Sequence, residues 1–417
     1  MRKTGNLQYK FVLAIPIINA IASNTTEYFN STVYNPGNLR ALLIGVFALY
    51  FIFTKIPNEK IFRFVLFYLF FYGLLVLIST DMLHSGNLYF KFFLGVIMFP
   101  IGYYYINSIG RLKELVVVLF VALVLHLINL AITNIFQLGT SDYLENTFYF
   151  GAGRVNITKN IIVLVFVFPL TMLFFWNHRF KIILVYLIGF MVAMVGIKRS
   201  VLLSGAVGVI TYFFYRGKIS YLLRFSLGFS ILFLIILTSL PSVSNLFTSR
   251  FEARGDRVEI TGQTLESEGR YDETRIVWDS WISGSFRHKL IGSEVFNDRI
   301  FFNSARMLHT DYMIMLNGSG VIGFLLWFYM YYLIIKEKQK FYRKLRNNSL
   351  FIEINAVFWV LLATQILLSI SGTVYAIEVR SLLFLLWGAF IGTMRGHLRN
   401  LKKSPENEGL LPISHIR

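Results

Sequence analysis

Residues 61–80 read IFRFVLFYLFFYGLLVLIST, and this stretch decides the class of fold. Its only charged residue is Arg63, near the start. A helix that crosses a membrane needs roughly 20 apolar residues, because each residue rises about 1.5 Å. The stretch is continuously apolar rather than alternating, which favours a helix over a β-strand. Residues 61–80 are therefore predicted to span a membrane as an α-helix.

Similar stretches recur along the whole chain. Of its 417 residues, 56% are hydrophobic and 15% are charged, a balance that excludes an ordinary soluble enzyme. The sequence predicts an all-α polytopic membrane protein with about twelve transmembrane helices. The predicted spans lie near residues 11–23, 39–54, 61–80, 88–107, 112–137, 157–177, 180–197, 200–215, 219–240, 311–335, 353–370 and 379–395.

The basic residues predict the orientation of these spans. The formal net charge is +18, from 40 Lys+Arg against 22 Asp+Glu. Of the basic residues, 24 lie at the termini and in every second short connection, whereas 7 lie in the other short connections. Basic residues accumulate in cytoplasmic loops, so we expect both termini in the cytoplasm. The positive charge then sets topology, and no nucleic-acid partner is expected.

One long connection separates the ninth and tenth spans. The predicted organisation is spans one to nine in residues 1–240, an external loop in 241–310, spans ten to twelve in 311–395, and a basic cytoplasmic tail in 396–417. Loops of this length usually have a function. Short amphipathic helices are expected within it. One of them places Val277, Trp278, Trp281 and Ile282 on a single face at the membrane surface.

Ionisable residues in or beside spans are costly, which makes them functional candidates. Four clusters on the external side stand out, each with a simpler structural reading: contacts with lipid phosphates, surface anchoring, a structural histidine or close helix packing. They are Arg154 to Asn160 with Lys159, Lys198 with Arg199, the helix with Arg270, Arg275 and Arg287, and His309 with Asp311 followed by Asn317, Gly318 and Gly320.

Several chemistries lack their sequence signatures. The chain has no cysteine and no paired-histidine spacing, which disfavours a zinc site. It also has no GxxxxGKS or GxxxxGKT phosphate loop and no G-x-S-x-G elbow. We therefore expect no metal or other cofactor. External arginines instead favour an anion bound directly by guanidinium groups, whose rigid fork matches phosphate oxygens.

These clusters resemble motifs of the bacterial O-antigen polymerase and O-antigen ligase superfamily. The chain departs from the family pattern at Thr310, where Asn or Ser is frequent, and at Lys159, where Pro is frequent. The stretches that carry the resemblance are Arg154 to Asn160, Lys198-Arg199-Ser200, Arg275-Ile-Val-Trp278 with Leu290-Ile-Gly292, and His309-Thr-Asp311-Tyr312 with Gly320-Val-Ile-Gly323.

The resemblance implies a metal-independent glycosyltransferase in the bacterial inner membrane, with the long loop in the periplasm. The donor would be a glycan on undecaprenyl pyrophosphate, and the acceptor a hydroxyl of another lipid-linked repeat unit. His309 would act as general base, and Arg199 and Arg275 would stabilise the leaving pyrophosphate. The implied substrate-binding residues are Arg154, Asn160, Lys198, Arg270 and Asp311.

The alternatives differ in acceptor or in class. An O-antigen ligase would move the glycan to the lipid A core, although the His309-Thr-Asp311-Tyr312 form looks closer to the polymerases. A flippase or transporter of lipid-linked sugars would need ionisable residues along a midplane path, where His126 is the clearest candidate. A non-catalytic membrane scaffold would not explain why basic residues lie on the external side. Expected partners are the lipid-linked oligosaccharide and membrane lipid; a chain-length regulator protein stays open.

Overall fold

The computed structural model describes residues 2–29, 35–138, 154–195, 199–239, 248, 269–297, 308 and 310–403. Within these ranges the chain forms fifteen α-helices and no β-strand, which confirms the predicted all-α class. The helices are α1 Arg2–Thr25, α2 Pro36–Thr54, α3 Lys60–Leu77, α4 Met82–Tyr105, α5 Ile109–Ile135, α6 Arg154–Val165, α7 Phe168–Phe174, α8 Arg179–Val195, α9 Arg199–Tyr215, α10 Ile219–Ser239, α11 Gly269–Ser283, α12 Phe286–Ile291, α13 Asp311–Tyr342, α14 Ser349–Ser369 and α15 Ile377–Lys403.

Seven of the described helices are long and apolar enough to cross a membrane: α2, α3, α4, α5, α13, α14 and α15. The pair α6 and α7 adds an eighth candidate if it is a single span bent by 44°. Pro169 in the first turn of α7 accounts for this bend, because proline lacks an N–H donor and its ring excludes a continuous helix. The membrane character is thus confirmed, while the count of twelve spans stays a prediction.

Helix α15 is the central helix of the bundle, and it packs along α4 through a seam of glycines. Gly388, Gly392 and Gly396 recur at the spacing that places residues on one helical face. A Cβ atom on any of them would overlap backbone atoms of Phe99, Tyr103 or Asn107. Small residues at such positions let two helices approach backbone to backbone, which strengthens packing inside a membrane.

Salt bridges connect helices at two ends of the bundle. At one end, salt bridges join Arg395 to Glu59 and Arg216 to Glu353, each at 2.5 Å. At the other end, Arg40 pairs with Glu378 at 2.6 Å, close to the connection between α14 and α15. We call this second end the loop end. Its assignment to the periplasm stays a prediction.

Helix α13 is broken at Gly320, where the backbone has a φ of +60° that favours glycine. The segment after α12 lies directly against this break. Gly292 there has a φ of +81°, and a Cβ atom on it would overlap the backbone of Gly318. The amide of Ser293 donates to the carbonyl oxygen of Asn317 at 3.0 Å. The two glycine motifs therefore mark one contact between the loop segment and a broken helix.

We predict that alanine at either glycine destabilises the protein. Gly320→Ala and Gly292→Ala each force a side chain into a left-handed conformation and into a neighbouring backbone, at a cost of roughly 1–3 kcal/mol or more. Thermal unfolding of the detergent-solubilised protein should show a lower midpoint for both variants. Gly110→Ala is the matched control, because nothing lies within 4 Å of a Cβ atom there. Equal midpoints for all three variants would contradict the contact.

Candidate functional site

Lys159 is buried near the start of α6, and its charge is satisfied by backbone carbonyls. Its Nζ atom donates to the carbonyl oxygens of Ser371 at 3.2 Å and Gly372 at 2.6 Å. Both acceptors belong to the loop between α14 and α15, residues 370–376, which we call the hub loop. The loop turns at Gly372, which has a φ of +76°. Lys159 thus connects α6 to the hub loop through these two hydrogen bonds.

Asp311 binds the same loop from the start of α13. Its side chain is fully buried, and it accepts three hydrogen bonds. Oδ1 accepts from the amides of Thr373 at 2.6 Å and Val374 at 2.9 Å, and Oδ2 accepts from Oγ1 of Thr373 at 2.6 Å. The positive end of α13 further favours a carboxylate in its first turn. These bonds fix the beginning of α13 relative to α14 and α15.

The hub loop therefore joins two sequence clusters that are far apart in the chain. Lys159 and Ser371 are 212 residues apart, and Asp311 and Thr373 are 62 apart. Sequence reasoning missed this loop, because residues 370–376 contain no acidic or basic side chain and Lys159 binds only their carbonyls. The one sequence signal was a Ser-Gly-Thr run between two apolar stretches, which indicates a turn but no partner.

Asn160 points to a small cavity at the same end of the bundle. The cavity is also lined by Asn19, His126 and Glu378, and it has room for about one water molecule. Within the described part of the chain, Oδ1 of Asn160, Oδ1 of Asn19 and Oε2 of Glu378 have no hydrogen-bond partner. His126 is buried and pairs through Nδ1 with Oδ1 of Asn24 at 2.9 Å. Because these unpaired oxygens are acceptors, the cavity suits a water molecule or another group that donates hydrogen bonds.

Helix α11 carries Arg275 on its exposed side. Val277 is buried, whereas Trp278 and Ile282 are exposed. The residues predicted to share one face therefore do not all pack against the protein. Successive helical residues lie about 100° apart, which separates Val277 from Trp278. Trp281 closes the turn to α12 by donating from Nε1 to the carbonyl oxygen of Lys289 at 3.3 Å. The exposed apolar side chains suit a helix at a membrane surface.

The segment from Gly292 to Asn297 connects α12 to the bundle. Glu294 accepts from Oγ of Ser79 at 2.8 Å and from the amide of Thr80 at 3.1 Å, in the turn between α3 and α4. Phe296 packs its ring between Tyr72 and Phe92, with ring centres 5.7 Å and 5.3 Å away. This segment thus lies over the loop end of α3 and α4.

The remaining candidate residues are only partly described. His309 and Lys198 lie outside the described residues. For Arg154, Arg199 and Arg270 the structure describes the helices that hold them but not their side chains.

The start of α9 can nevertheless be placed. Tyr212 and Arg216 near its end contact Glu353 near the start of α14. The two helices therefore run antiparallel, so that Arg199 begins α9 at the loop end. The structure thus brings the starts of α6, α9 and α13 to the same end as the hub loop and α12.

Comparison with protein-family models gives no match to this chain. Comparison with curated proteins gives none either. Among the described residues, no group of three His, Asp or Glu side chains is arranged to hold a metal ion.

We predict that Asp311→Asn destabilises the protein by about 3 kcal/mol, because the bonds to the two backbone amides lose their charged acceptor and an NH2 group replaces the oxygen that accepts from Oγ1 of Thr373. Thermal unfolding in detergent measures the change. Glu337→Gln on the same helix is the control, since its partner Lys340 is 61% exposed and pairs with such an exposed member contribute less than about 1 kcal/mol.

A second test asks whether Lys159 and Asp311 act on one structural unit. The combination of Lys159→Met with Asp311→Asn should cost less than the sum of the single changes, because either change alone loosens the hub loop. Strictly additive changes in the free energy of unfolding would contradict a shared role.

Proposed function

We propose that this protein is an integral membrane glycosyltransferase of the O-antigen polymerase type. It would transfer a glycan from undecaprenyl pyrophosphate to a hydroxyl of another lipid-linked repeat unit, at the periplasmic face of the inner membrane. The observation that supports this proposal best is the hub loop. Lys159 and Asp311, from two of the four clusters that resemble the family, hold the same four-residue stretch from Ser371 to Val374.

His309 is the proposed general base that removes the proton from the attacking hydroxyl. An imidazole suits this step, because its ordinary pKa lies near neutrality. His309 stands two residues before Asp311 and directly after Leu308, which is buried. Two residues of extended chain reach about 7 Å, so the anchored Asp311 restricts where His309 can lie. In this proposal Asp311 positions the base by fixing the chain beside it.

Arginines supply the second half of the proposed chemistry. The glycan leaves a pyrophosphate that gains negative charge, and preorganised guanidinium groups stabilise that charge more in the transition state than in the ground state. Arg275 is exposed on α11 at the membrane surface, where a lipid pyrophosphate would lie. Arg199 at the start of α9 would share this role. Arg154, Lys198 and Arg270 would bind the substrate, and Asn160 would accept a hydrogen bond from it.

The full proposal includes a topology and partners. It has twelve spans, cytoplasmic termini, a periplasmic loop at residues 241–310, and no nucleotide or metal, since the donor is already activated. The O-antigen ligase alternative differs only in its acceptor, the lipid A core. The flippase alternative has its own supporting observation in the polar side chains of His126, Asn160 and Glu378, which line one small cavity. Such clusters inside membranes frequently mark substrate paths.

We predict that His309→Ala abolishes polymer formation in the native host. Lipopolysaccharide displayed on a gel should show core plus a single repeat unit, with no ladder. Bare core with long chains on the carrier lipid would indicate a ligase, and bare core without them a flippase. His288→Ala is the control, since His288 lies in the same long loop and has no proposed role. An unchanged ladder, with the variant present in the membrane, rules out His309 as the base.

We predict that Arg275→Ala slows transfer by roughly 100- to 1000-fold, the usual cost of losing one group that stabilises transition-state charge. The rate of polymer formation from purified lipid-linked repeat units measures this. Arg275→Lys should recover only part of the rate, because an ammonium cannot form the paired hydrogen bonds of a guanidinium. Arg287→Ala, also exposed in the same loop, is the control. Equal rates for Arg275→Ala and Arg287→Ala would contradict the assignment.

A further inference from the structure

Arg380 lies in the first turns of α15, directly beneath the hub loop. Its side chain is fully buried. The guanidinium stacks over the ring of Phe92 at 4.9 Å, and its methylene groups lie so close to Gly95 that a Cβ atom there would approach them to 2.6 Å. Among the described residues, Nη1 of the guanidinium donates to the carbonyl oxygen of Val374 over a long 3.5 Å, and the hydroxyl of Tyr331 lies within hydrogen-bonding reach. The sequence places Arg380 among the external basic residues and gives it no role.

The guanidinium of Arg380 is left largely without acceptors. Its Nε and Nη2 atoms are buried and have no hydrogen-bond partner among the described residues. An arginine keeps its charge under all ordinary conditions and carries five N–H donors. Burying such a charge without a partner costs several kcal/mol, so a protein retains it where something else compensates. The arrangement therefore lacks a negatively charged acceptor.

The groups around Arg380 are themselves hydrogen-bond donors. Tyr68 and Tyr331 lie close enough to interact electrostatically with the guanidinium. Tyr68 also contacts the hydroxyl of Tyr72, and the hydroxyl of Tyr331 lies within hydrogen-bonding reach of the guanidinium. The positive end of the 27-residue helix α15 adds to the same potential, because Arg380 is three residues from its start. A ligand that accepts several hydrogen bonds and carries negative charge would satisfy all of these groups.

The nearby carboxylates do not pair with Arg380. Glu378 is two residues away on α15 and therefore lies on a different side of the helix, where its Oε1 atom pairs with Arg40 at 2.6 Å. Asp311 is the other acidic neighbour, and both of its oxygens accept hydrogen bonds from the hub loop. It reaches Arg380 only through Val374, whose amide binds Asp311 and whose carbonyl accepts from Arg380. Within the described residues, no carboxylate forms a salt bridge with Arg380.

Phe296 covers this group from the loop end. Its ring packs against Tyr72, Phe92 and Tyr375, and Phe92 in turn lies on the guanidinium. The backbone of Phe296 has a φ of +56°, a strained conformation for a residue with a side chain. Such strain persists only where surrounding contacts impose it, and it concentrates at binding sites and switches. Displacement of this segment would relieve the strain and open a path to Arg380.

We propose that Arg380 is the centre of an anion site that binds a phosphate group, with Tyr68 and Tyr331 as further donors and Phe296 as its cover. The phosphate comes from the pyrophosphate of a lipid carrier or from free inorganic pyrophosphate, which offer the same acceptor oxygens. The lipid source rests on the glycosyltransferase function proposed above. Binding itself requires no turnover, so a failed test of His309 leaves this site standing, and the reverse also holds.

Thermal unfolding of the full-length protein in detergent tests the site, with inorganic pyrophosphate and undecaprenyl pyrophosphate as separate probes. At saturation either probe should raise the unfolding midpoint of the unchanged protein by about 5 °C. A rise with the lipid alone assigns the source to the carrier, and a rise with both shows that the headgroup suffices. No rise with either probe overturns the proposal.

Arg380→Met separates binding from structural support. Without a probe this variant should unfold at the same or a higher temperature than the unchanged protein, because an unpaired buried charge has been removed. It should also lose the rise caused by the probe. A lower midpoint without a probe, or an undiminished rise, overturns the proposal. If the methionine variant does not fold, Arg380→Lys is measured instead, and it should retain less than half of the rise; a full rise overturns the site.

Arg40→Met is the matched control, since Arg40 is also a buried arginine at the loop end but has a carboxylate partner. It should unfold at a lower temperature and keep the rise caused by the probe. If Arg40→Met also loses the rise in midpoint, the rise depends on overall positive charge, and the assignment to Arg380 is overturned.

Phe296→Gly should lower the probe concentration that gives half of the maximal rise in midpoint, because it removes the ring that covers the site. An unchanged or higher concentration overturns Phe296 as the cover.

Discussion

The carboxylate of Asp311 is the interaction on which the loop end of this protein depends. Three hydrogen bonds to Thr373 and Val374 connect the start of α13 to the turn between α14 and α15. Lys159 adds α6 to the same turn, and the carbonyl of Val374 reaches Arg380 on the central helix. Four helices are therefore positioned by one short loop. A buried carboxylate with both oxygens hydrogen-bonded is held rigidly, and it fixes the start of α13 against this loop.

Much of the helical framework follows from hydrophobicity alone. Within the described residues, each predicted apolar stretch falls on one helix except 157–177, which covers α6 and α7, because a continuous apolar run near 20 residues has few other stable forms in a membrane. The contacts at the loop end could not be predicted in the same way. Lys159 binds carbonyl oxygens, which every residue has, so no side chain signals its partner. The glycine motifs at residues 292 and 320 are visible in the sequence, but their mutual contact is non-local.

Buried cations in this bundle show how differently a charge can be compensated. Arg40 has a carboxylate, Lys159 has two carbonyls, and Lys338 has the amide oxygen of Asn355 with the ring of Trp359 at 4.7 Å. Arg380 alone among these four has most of its donors unfilled within the described chain. The other three buried cations each have a partner within the polypeptide, which makes the unfilled donors of Arg380 exceptional. An arginine that differs from its neighbours in this respect points to a partner from outside the polypeptide.

The contact between Lys159 and the hub loop also has a consequence for how the protein is made. Lys159 is synthesised 212 residues before Ser371, so α6 enters the membrane long before its acceptors exist. During that interval the ammonium group has to remain at the lipid headgroups, where long basic side chains reach water. Only the arrival of α14 and α15 allows it to become buried. The loop end would thus close last, which makes insertion of the final helices the step that completes the site.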